Sequence, residues 1–99
     1  MTHKFTFKKT IREGRYRAFQ RHHTTIKLQG KEVGYINESD FKVYVVRFAV
    51  KQKPTRKDPA PFHWIRFKKK FKSEGEAREH IKKFEAEIQE RYDLYQFED

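Results

Sequence analysis

The residues of this sequence that are best suited to chemistry are cations placed at every second position, with aromatic rings among them. The clearest set lies in residues 62–71 and comprises Trp64, Arg66, Lys68 and Lys70. Successive side chains of a β-strand point to opposite faces, so these four would share one face while Ile65, Phe67 and Phe71 face a core. A ring beside three cations is suited to a polyanion that carries flat bases.

The same alternation recurs along the chain. Cations and one aromatic ring fall opposite the predicted core positions of other strands at Lys4, Lys8, Arg15, Arg17, Phe19, Arg21, Lys27, Arg47 and Lys51. If a helix covers the apolar face of the sheet, these residues occupy the open face. The prediction depends on the register, because a slip of one residue turns a whole strand over.

The charge distribution supports this interpretation. The net charge is +10, with eight Lys or Arg against one acid in residues 1–30 and nine against one in residues 51–72. Residues 73–99 instead carry nine acids against four Lys or Arg. A basic side on a small domain is typical of proteins that bind nucleic acid.

Other chemistry has less support in the sequence. There is no cysteine, and the adjacent pair His22–His23 lacks the further ligands of a tetrahedral metal site. Glu76 and His80 are four residues apart on a predicted helix, where a surface pair is the simpler interpretation. Small basic ribonucleases need only a general base and cations, so Arg21, His22, His23 and Tyr35 form an alternative catalytic set. We expect no metal or cofactor.

The length of 99 residues allows one domain, and an aromatic content of 16% favours a folded chain despite 38% charged residues. Alternation and turn signals predict strands at about 3–9, 15–21, 24–29, 32–37, 41–51 and 62–71, with turns at Glu13–Gly14 and Gly30–Lys31 and a tight connection at His22–His23. The expected fold class is α+β: an antiparallel sheet of four to six strands with one C-terminal helix on one face.

The helix is predicted over residues 74–92. Ser73 and Glu76 have the spacing of a capping box. The apolar stripe behind them, at helical spacing, is Ala77, Ile81, Phe84, Ile88 and Tyr92. The tail after Tyr92 keeps three large apolar residues and is expected to pack back on the sheet.

Residues 52–61 contain all three prolines and form a basic loop. Arg56 and Lys57 within it either reach a phosphate backbone as part of a mobile arm or stay in water on a long hairpin loop.

Residues 34–84 carry a resemblance to a known type of domain. The Trp64-Ile65-Arg66 strand, followed by Phe71, Glu76 and Ala77 at the entry to a helix, resembles AP2-type domains and the arm-binding domains of tyrosine integrases. In those families a three-stranded sheet enters the major groove of DNA, which implies base or backbone contacts for Trp64 and Arg66. The chain, which is short, lacks cysteine and is predicted to form one sheet and one helix, is also similar in type to small phage or prophage accessory proteins, including anti-CRISPR inhibitors.

The sequence therefore favours a non-enzymatic, nucleic-acid-binding protein that uses the open face of its sheet. The alternative is a phage-type anti-defence inhibitor that binds a protein or nucleoprotein complex, and the third is a small endoribonuclease. No apolar run approaches the roughly 18 residues of a membrane span, and the N-terminus lacks the apolar segment of a signal peptide. We expect a cytoplasmic location.

Overall fold

The computed structural model describes residues 3–13, 20–39 and 43–98. They form a five-stranded antiparallel sheet and a helical layer near the C-terminus, which confirms the predicted α+β class. The strands are β1 (Phe5–Glu13), β2 (Gln20–Leu28), β3 (Lys31–Glu38), β4 (Tyr44–Lys51) and β5 (Phe62–Arg66). The helices are α1 (Glu74–Lys83) and α2 (Glu85–Arg91).

The sheet is a meander in which each strand pairs with the next, in the order β1-β2-β3-β4-β5. The turn between β2 and β3 is Gln29–Gly30, one residue earlier than predicted. Gln29 and Gly30 both have positive φ angles, 53° and 80°, as a two-residue type I′ turn requires. That requirement places the glycine second in the turn and pairs Leu28 with Lys31.

The first two strands are longer than the sequence predicted. β1 continues to Glu13, and β2 begins at Gln20 and runs through His22 and His23 without a connection there. The predicted break was wrong because both histidines pair across the ladder, with Ile11 and Thr10. Residues 14–19, with the predicted strand start at 15 and Gly14 of the predicted turn, lie outside the described residues.

The predicted strand 62–71 ends early, at Arg66. The Phe67 N–H donates to the Val46 carbonyl at 3.0 Å, and Phe71 pairs with Tyr44, so five residues here oppose three of β4. The two additional residues have no ladder partners, and the strict alternation of faces ends with them.

The predicted helix 74–92 is interrupted at Phe84, where α1 gives way to α2. Phe84 has φ −106° and ψ 22°, outside the usual helical range. The Phe84 N–H still donates to the His80 carbonyl, and its own carbonyl accepts from Ile88 N–H at 2.9 Å. The interruption is therefore a bend within one helical path.

The core lies between the sheet and the helices, on the side that we call the covered face. The buried residues of this core are Phe5, Ile26, Leu28, Val33, Ile36, Val46, Phe48, Phe71, Ala77, Ile81, Ile88 and Leu94. The predicted helical stripe is confirmed, since Phe84 and Tyr92 also pack against this cluster. Ser73 accepts the Glu76 N–H at 3.1 Å as the N-cap, and the Glu76 carboxylate accepts the Lys72 N–H. The Thr24 hydroxyl donates to Glu74 at 2.8 Å and ties α1 to β2.

The C-terminal tail is inserted between β3 and β4, where these strands diverge. Their last direct pair is Gly34 with Phe48. Beyond it, the Tyr95 N–H donates to the Ala49 carbonyl and the Phe97 N–H to the Glu32 carbonyl, both at 2.8 Å. The expectation that the tail packs on the sheet is confirmed, and the tail also supplies backbone partners to both strands.

Candidate nucleic-acid interface

The face of the sheet opposite the helices, which we call the open face, is set by the register of β4 and β5. Arg47 pairs with Arg66, Ala49 with Trp64, and Lys51 with Phe62. Paired residues of an antiparallel ladder share a face. Their neighbours along the strands, Phe48 and Ile65, belong to the covered face, so the alternation predicted for these two strands holds.

Five rings on the open face contact one another and form what we call the aromatic platform: Tyr35, Phe62, Trp64, Tyr95 and Phe97. Trp64 is central. Its ring centroid lies 5.1 Å from that of Tyr35, 5.7 Å from Phe62 and 5.7 Å from Phe97, the last in a stacked arrangement. Phe62 also stacks on Tyr95 at 4.9 Å. These separations are typical of favourable ring pairs.

The platform reaches the surface at Trp64, which is 42% exposed and is the one large hydrophobic residue of the described chain with such exposure. The other four rings are half-buried. His23 extends the row, since its ring is stacked on Tyr35 at 5.0 Å. The result is a continuous cluster of rings, some stacked and some edge to face, whose most accessible member is the Trp64 indole.

Two arginines adjoin the platform. The Arg47 guanidinium lies 5.7 Å from the centroid of the Tyr35 ring and donates to the Asn37 amide oxygen at 2.9 Å. These contacts hold the guanidinium beside Tyr35 and Asn37. Arg66 is exposed beside it at the end of β5. A third cation, Lys51, forms an exposed ion pair with Asp93 at 3.5 Å.

Other cations predicted to bind lie farther from the rings or on other elements. Lys4 and Lys8 are exposed at the start of the chain and within β1, and Lys27 is half-buried in β2. Arg56 and Lys57 are exposed in the proline-rich loop. This loop is tied internally: Gln52 donates to the Asp58 carboxylate and the Ala60 carbonyl, each at 2.9 Å. These bonds favour the hairpin-loop alternative over a free arm.

The predicted strand that placed Lys68 and Lys70 on the open face ends before both residues, so their part in binding stays a prediction. Both follow the end of β5, where five residues oppose three and the alternation of faces no longer applies. Lys68 lies instead beside Lys69 at a cavity on the helical side. Lys70 is exposed. The end of the strand thus separates the lysine run from Trp64, while Lys68 and Lys69 line this cavity together with Arg66.

The remaining predicted residues come from the N-terminal half. Arg21 is in β2 and pairs with Arg12 of β1. Arg15, Arg17 and Phe19 lie outside the described residues.

Sequence reasoning missed four members of the platform as binding residues: Tyr35, Phe62, Tyr95 and Phe97. The sequence did contain a signal for three of them. Phe62 lies two residues before Trp64, and Tyr95 lies two residues before Phe97, which is the spacing of one strand face. What the pattern lacked was the position of the tail, which joins the sheet between two strands rather than at its edge.

Of the catalytic alternatives, the structure describes the helix pair Glu76 and His80, while the ribonuclease set Arg21, His22, His23 and Tyr35 stays a prediction in which His23 and Tyr35 are in ring contact. The Glu76 carboxylate accepts a hydrogen bond from the Lys72 N–H at 3.3 Å. The His80 ring packs against Phe71 and Phe84, with centroids 5.1 and 4.7 Å away. The two helix residues are thus engaged with different neighbours. Among residues 3–13, 20–39 and 43–98, no group of three or more His, Asp or Glu could hold a metal ion.

Comparison of the chain with models of protein families, with curated proteins and with solved structures found no match. No helix in the described parts of the chain is long and apolar enough to cross a membrane.

Proposed function

We propose that this protein binds nucleic acid, without catalysis, through the open face of its sheet. The observation that carries the proposal is the aromatic platform with Arg47 and Arg66 beside it. Flat rings on a sheet stack on bases, and guanidinium groups bind phosphates. The net charge of +10 adds a general attraction for the polyanion.

Single-stranded DNA or RNA is the expected form. Bases of a duplex already stack on one another, whereas unpaired bases offer both faces to aromatic side chains. The resemblance to sheet-plus-helix DNA-binding domains implies duplex binding in the major groove instead. Tighter binding of single strands would therefore indicate stacking on the platform, and tighter binding of duplex DNA would indicate contacts in the major groove.

The test is fluorescence anisotropy with labelled single-stranded DNA, single-stranded RNA and random duplex DNA, each over a range of salt concentrations. We expect binding at near-physiological salt, tighter for single strands. Trp64→Ala/Arg66→Ala should weaken binding about tenfold or more, since one stacked base contributes roughly 1–3 kcal/mol. Lys83→Ala is the matched control, because it removes one positive charge from α1 on the other side of the sheet.

The salt dependence separates the two residues. Arg66→Ala should reduce the slope of log affinity against log salt by about 0.7, the loss expected for one phosphate contact on a single strand. Trp64→Ala should leave that slope unchanged while lowering affinity, because stacking releases no counterions. Equal slopes in both variants would contradict the assignment of Arg66 to a phosphate.

The same platform also suits a protein interface, where exposed tryptophan and arginine commonly dominate binding energy. Binding of all three nucleic acids only at low salt, with no response to Trp64→Ala/Arg66→Ala, would refute the proposal. The anti-defence inhibitor would then be the better hypothesis. The protein or nucleoprotein that it binds would be sought by pull-down with the wild type and the same variants. Cleavage of the labelled RNA during the titration would instead favour the ribonuclease.

A further inference from the structure

An open cavity of about 500 Å³ lies on the helical side of the molecule, lined by the end of β5, the segment after it and both helices. This size is typical of sites for small molecules. Its apolar lining includes Phe67, Phe84, Ile88 and Tyr92, three of them aromatic. None of these belongs to the aromatic platform.

Two irregularities of the fold meet at this cavity. The segment after Arg66 has two more residues than the part of β4 that it opposes, and Lys68 and Lys69 within it line the cavity. On the opposite wall, the helical path bends at Phe84, which is also a lining residue. If the strand continued and the helix were unbroken, the core residues of the strand would contact the apolar stripe of the helix directly. The cavity lies where both elements are irregular.

The charge at the cavity is strongly positive. Arg66, Lys68, Lys69 and Arg91 line it, against one acid, Glu87. Among the described residues, the ion pairs are Lys51–Asp93 and Arg78–Glu74, so none of these four cations has a carboxylate within 4.0 Å. Like charges that line one cavity in excess of acids repel one another and favour the binding of an anion there.

The imidazole of His80 is affected by part of this environment. Its pKa is lowered from the usual value by burial and then by the positive charges of Lys69 and Lys83. His80 also lines the cavity. Near neutral pH it is an uncharged group that can donate or accept one hydrogen bond there.

We infer that this cavity binds a small aromatic phosphate of the size of a nucleoside monophosphate. The aromatic lining suits a flat ring, and the excess of four cations over one acid suits a phosphate with up to two negative charges better than a single carboxylate. The inference rests on rings other than those of the aromatic platform; Arg66 adjoins both places, so the variants that test the cavity leave Arg66 unchanged. A free nucleotide and the terminal nucleotide of a strand offer the same chemistry.

Isothermal titration calorimetry on the full chain tests the inference with three probes: AMP, adenosine and inorganic phosphate. We expect AMP to bind with a dissociation constant below about 1 mM. Adenosine lacks the charge and phosphate lacks the ring, so each should bind at least about tenfold more weakly. Equal affinity for AMP and phosphate would overturn the role of the rings, and no binding of AMP would overturn the inference altogether.

The location is tested with variants and by NMR. Lys68→Gln/Arg91→Gln should weaken AMP binding about tenfold or more, because it removes two charged partners of the phosphate. Lys31→Gln/Lys53→Gln removes the same charge from exposed positions outside the cavity lining and should have little effect. Amide shifts on adding AMP should centre on Phe84 and Tyr92. Shifts centred on Tyr35 and Trp64 would instead place AMP on the open face and refute the cavity site.

Two oligonucleotides distinguish the sources of the phosphate. A single strand with a 5′-phosphate and the same strand with a 5′-hydroxyl are titrated against the wild type and Lys68→Gln/Arg91→Gln. If the cavity takes a strand end, only the phosphorylated strand gains affinity, and the variant loses that gain. If it takes free nucleotide, the two strands bind alike while AMP still binds and responds to the variant.

Discussion

The two faces of the sheet are built from the same strands but have opposite characters. The covered face carries Ile26, Ile36, Val46 and Phe48, all fully buried. The open face carries aromatic rings whose centre, Trp64, is 42% exposed. Full burial removes all the apolar surface of the covered-face side chains from water, whereas Tyr and Trp combine an apolar body with a polar group and tolerate partial exposure. The difference indicates that the covered face holds the fold together, whereas the open face leaves much of one large ring in water.

The C-terminal tail belongs to both faces. Leu94 is buried in the core beside Val50, while Tyr95 and Phe97 complete the aromatic platform. Side chains of this inserted segment alternate between the two faces. Leu94 therefore contributes to stability, and Tyr95 and Phe97 contribute to the candidate interface. Changes in the tail should affect the two functions separately, depending on which residue is altered.

The largest expected effect is a difference in unfolding free energy between substitutions on the two faces. Phe48→Ala should lower the free energy of unfolding by about 3–5 kcal/mol, because it leaves a cavity in the covered face. Trp64→Ala should cost less than about 2 kcal/mol, since much of that ring is already in water. Urea denaturation of both variants measures this. An equal cost at the two positions would contradict the division of roles between the faces.

The next effect concerns Gly34, the last residue of β3 to pair directly with β4 before the tail intervenes. A Cβ atom at this position would lie 2.3 Å from the Arg47 carbonyl oxygen, a backbone atom that cannot move away easily. We expect Gly34→Ala to destabilise the protein by roughly 1–3 kcal/mol, as overpacking usually does. Denaturation of Gly34→Ala in urea checks it.

Gly75→Ala is the matched control for that experiment. Gly75 lies in α1 and has open space where a Cβ would be added. Alanine there should stabilise the protein by about 0.5–1 kcal/mol through helix propensity. If both alanine variants behaved alike, close approach of β3 and β4 would not be the reason for glycine at position 34.

A smaller effect tests the open face alone. Trp64 is the only tryptophan, so quenching of its fluorescence reports directly on the platform. Oligo(dT) should quench it, and Phe97→Leu should weaken that binding by about fivefold, because leucine keeps the apolar volume but lacks a flat ring. Stability should change by less than about 1.5 kcal/mol. Unchanged affinity in this variant would exclude stacking on Phe97.

The smallest expected effect lies on the helical side and concerns pH. Because burial and the charges of Lys69 and Lys83 lower the pKa of His80 in the folded protein, protons bind more readily to the unfolded chain. Stability from this group is therefore full above pH 6.5 and decreases as the pH falls below it. NMR titration of the His80 ring should give a midpoint below 6.5.

Lys69→Ala should raise that midpoint, whereas Lys72→Ala should leave it nearly unchanged, since Lys72 does not contribute to the shift. The rings of Phe67, Phe71 and Phe84 surround His80 in both variants. A midpoint at or above 6.5 in the wild type would contradict the positive environment assigned to the cavity.

Local patterns predicted much of the framework. The capping spacing of Ser73 and Glu76 gave the start of α1, because a cap depends on atoms a few residues apart. The alternation around Phe48 gave its burial, because a strand with one face in a core must repeat every two residues. The exposure of Trp64 followed in the same way. These properties need knowledge of one segment only.

Other features depended on what a segment meets in space. The end of β5 before Lys68 and the continuation of β2 through His23 are set by partners on neighbouring strands. The alternating lysines at 68 and 70 looked like part of a strand, but the ladder with β4 had already changed register. Contacts between distant parts of the chain leave no periodic signal in either part.

By itself, then, the sequence determined the α+β class, the capped amphipathic helix, the alternating faces of β4 and β5, and the excess of positive charge. These follow from backbone periodicity and composition. Tertiary structure alone decided that Phe97 and Tyr95 would lie beside Trp64, that Arg47 would lie against Tyr35, and that a cationic cavity would form near Phe84. The reason is that each of these requires segments far apart in the chain to meet at one place.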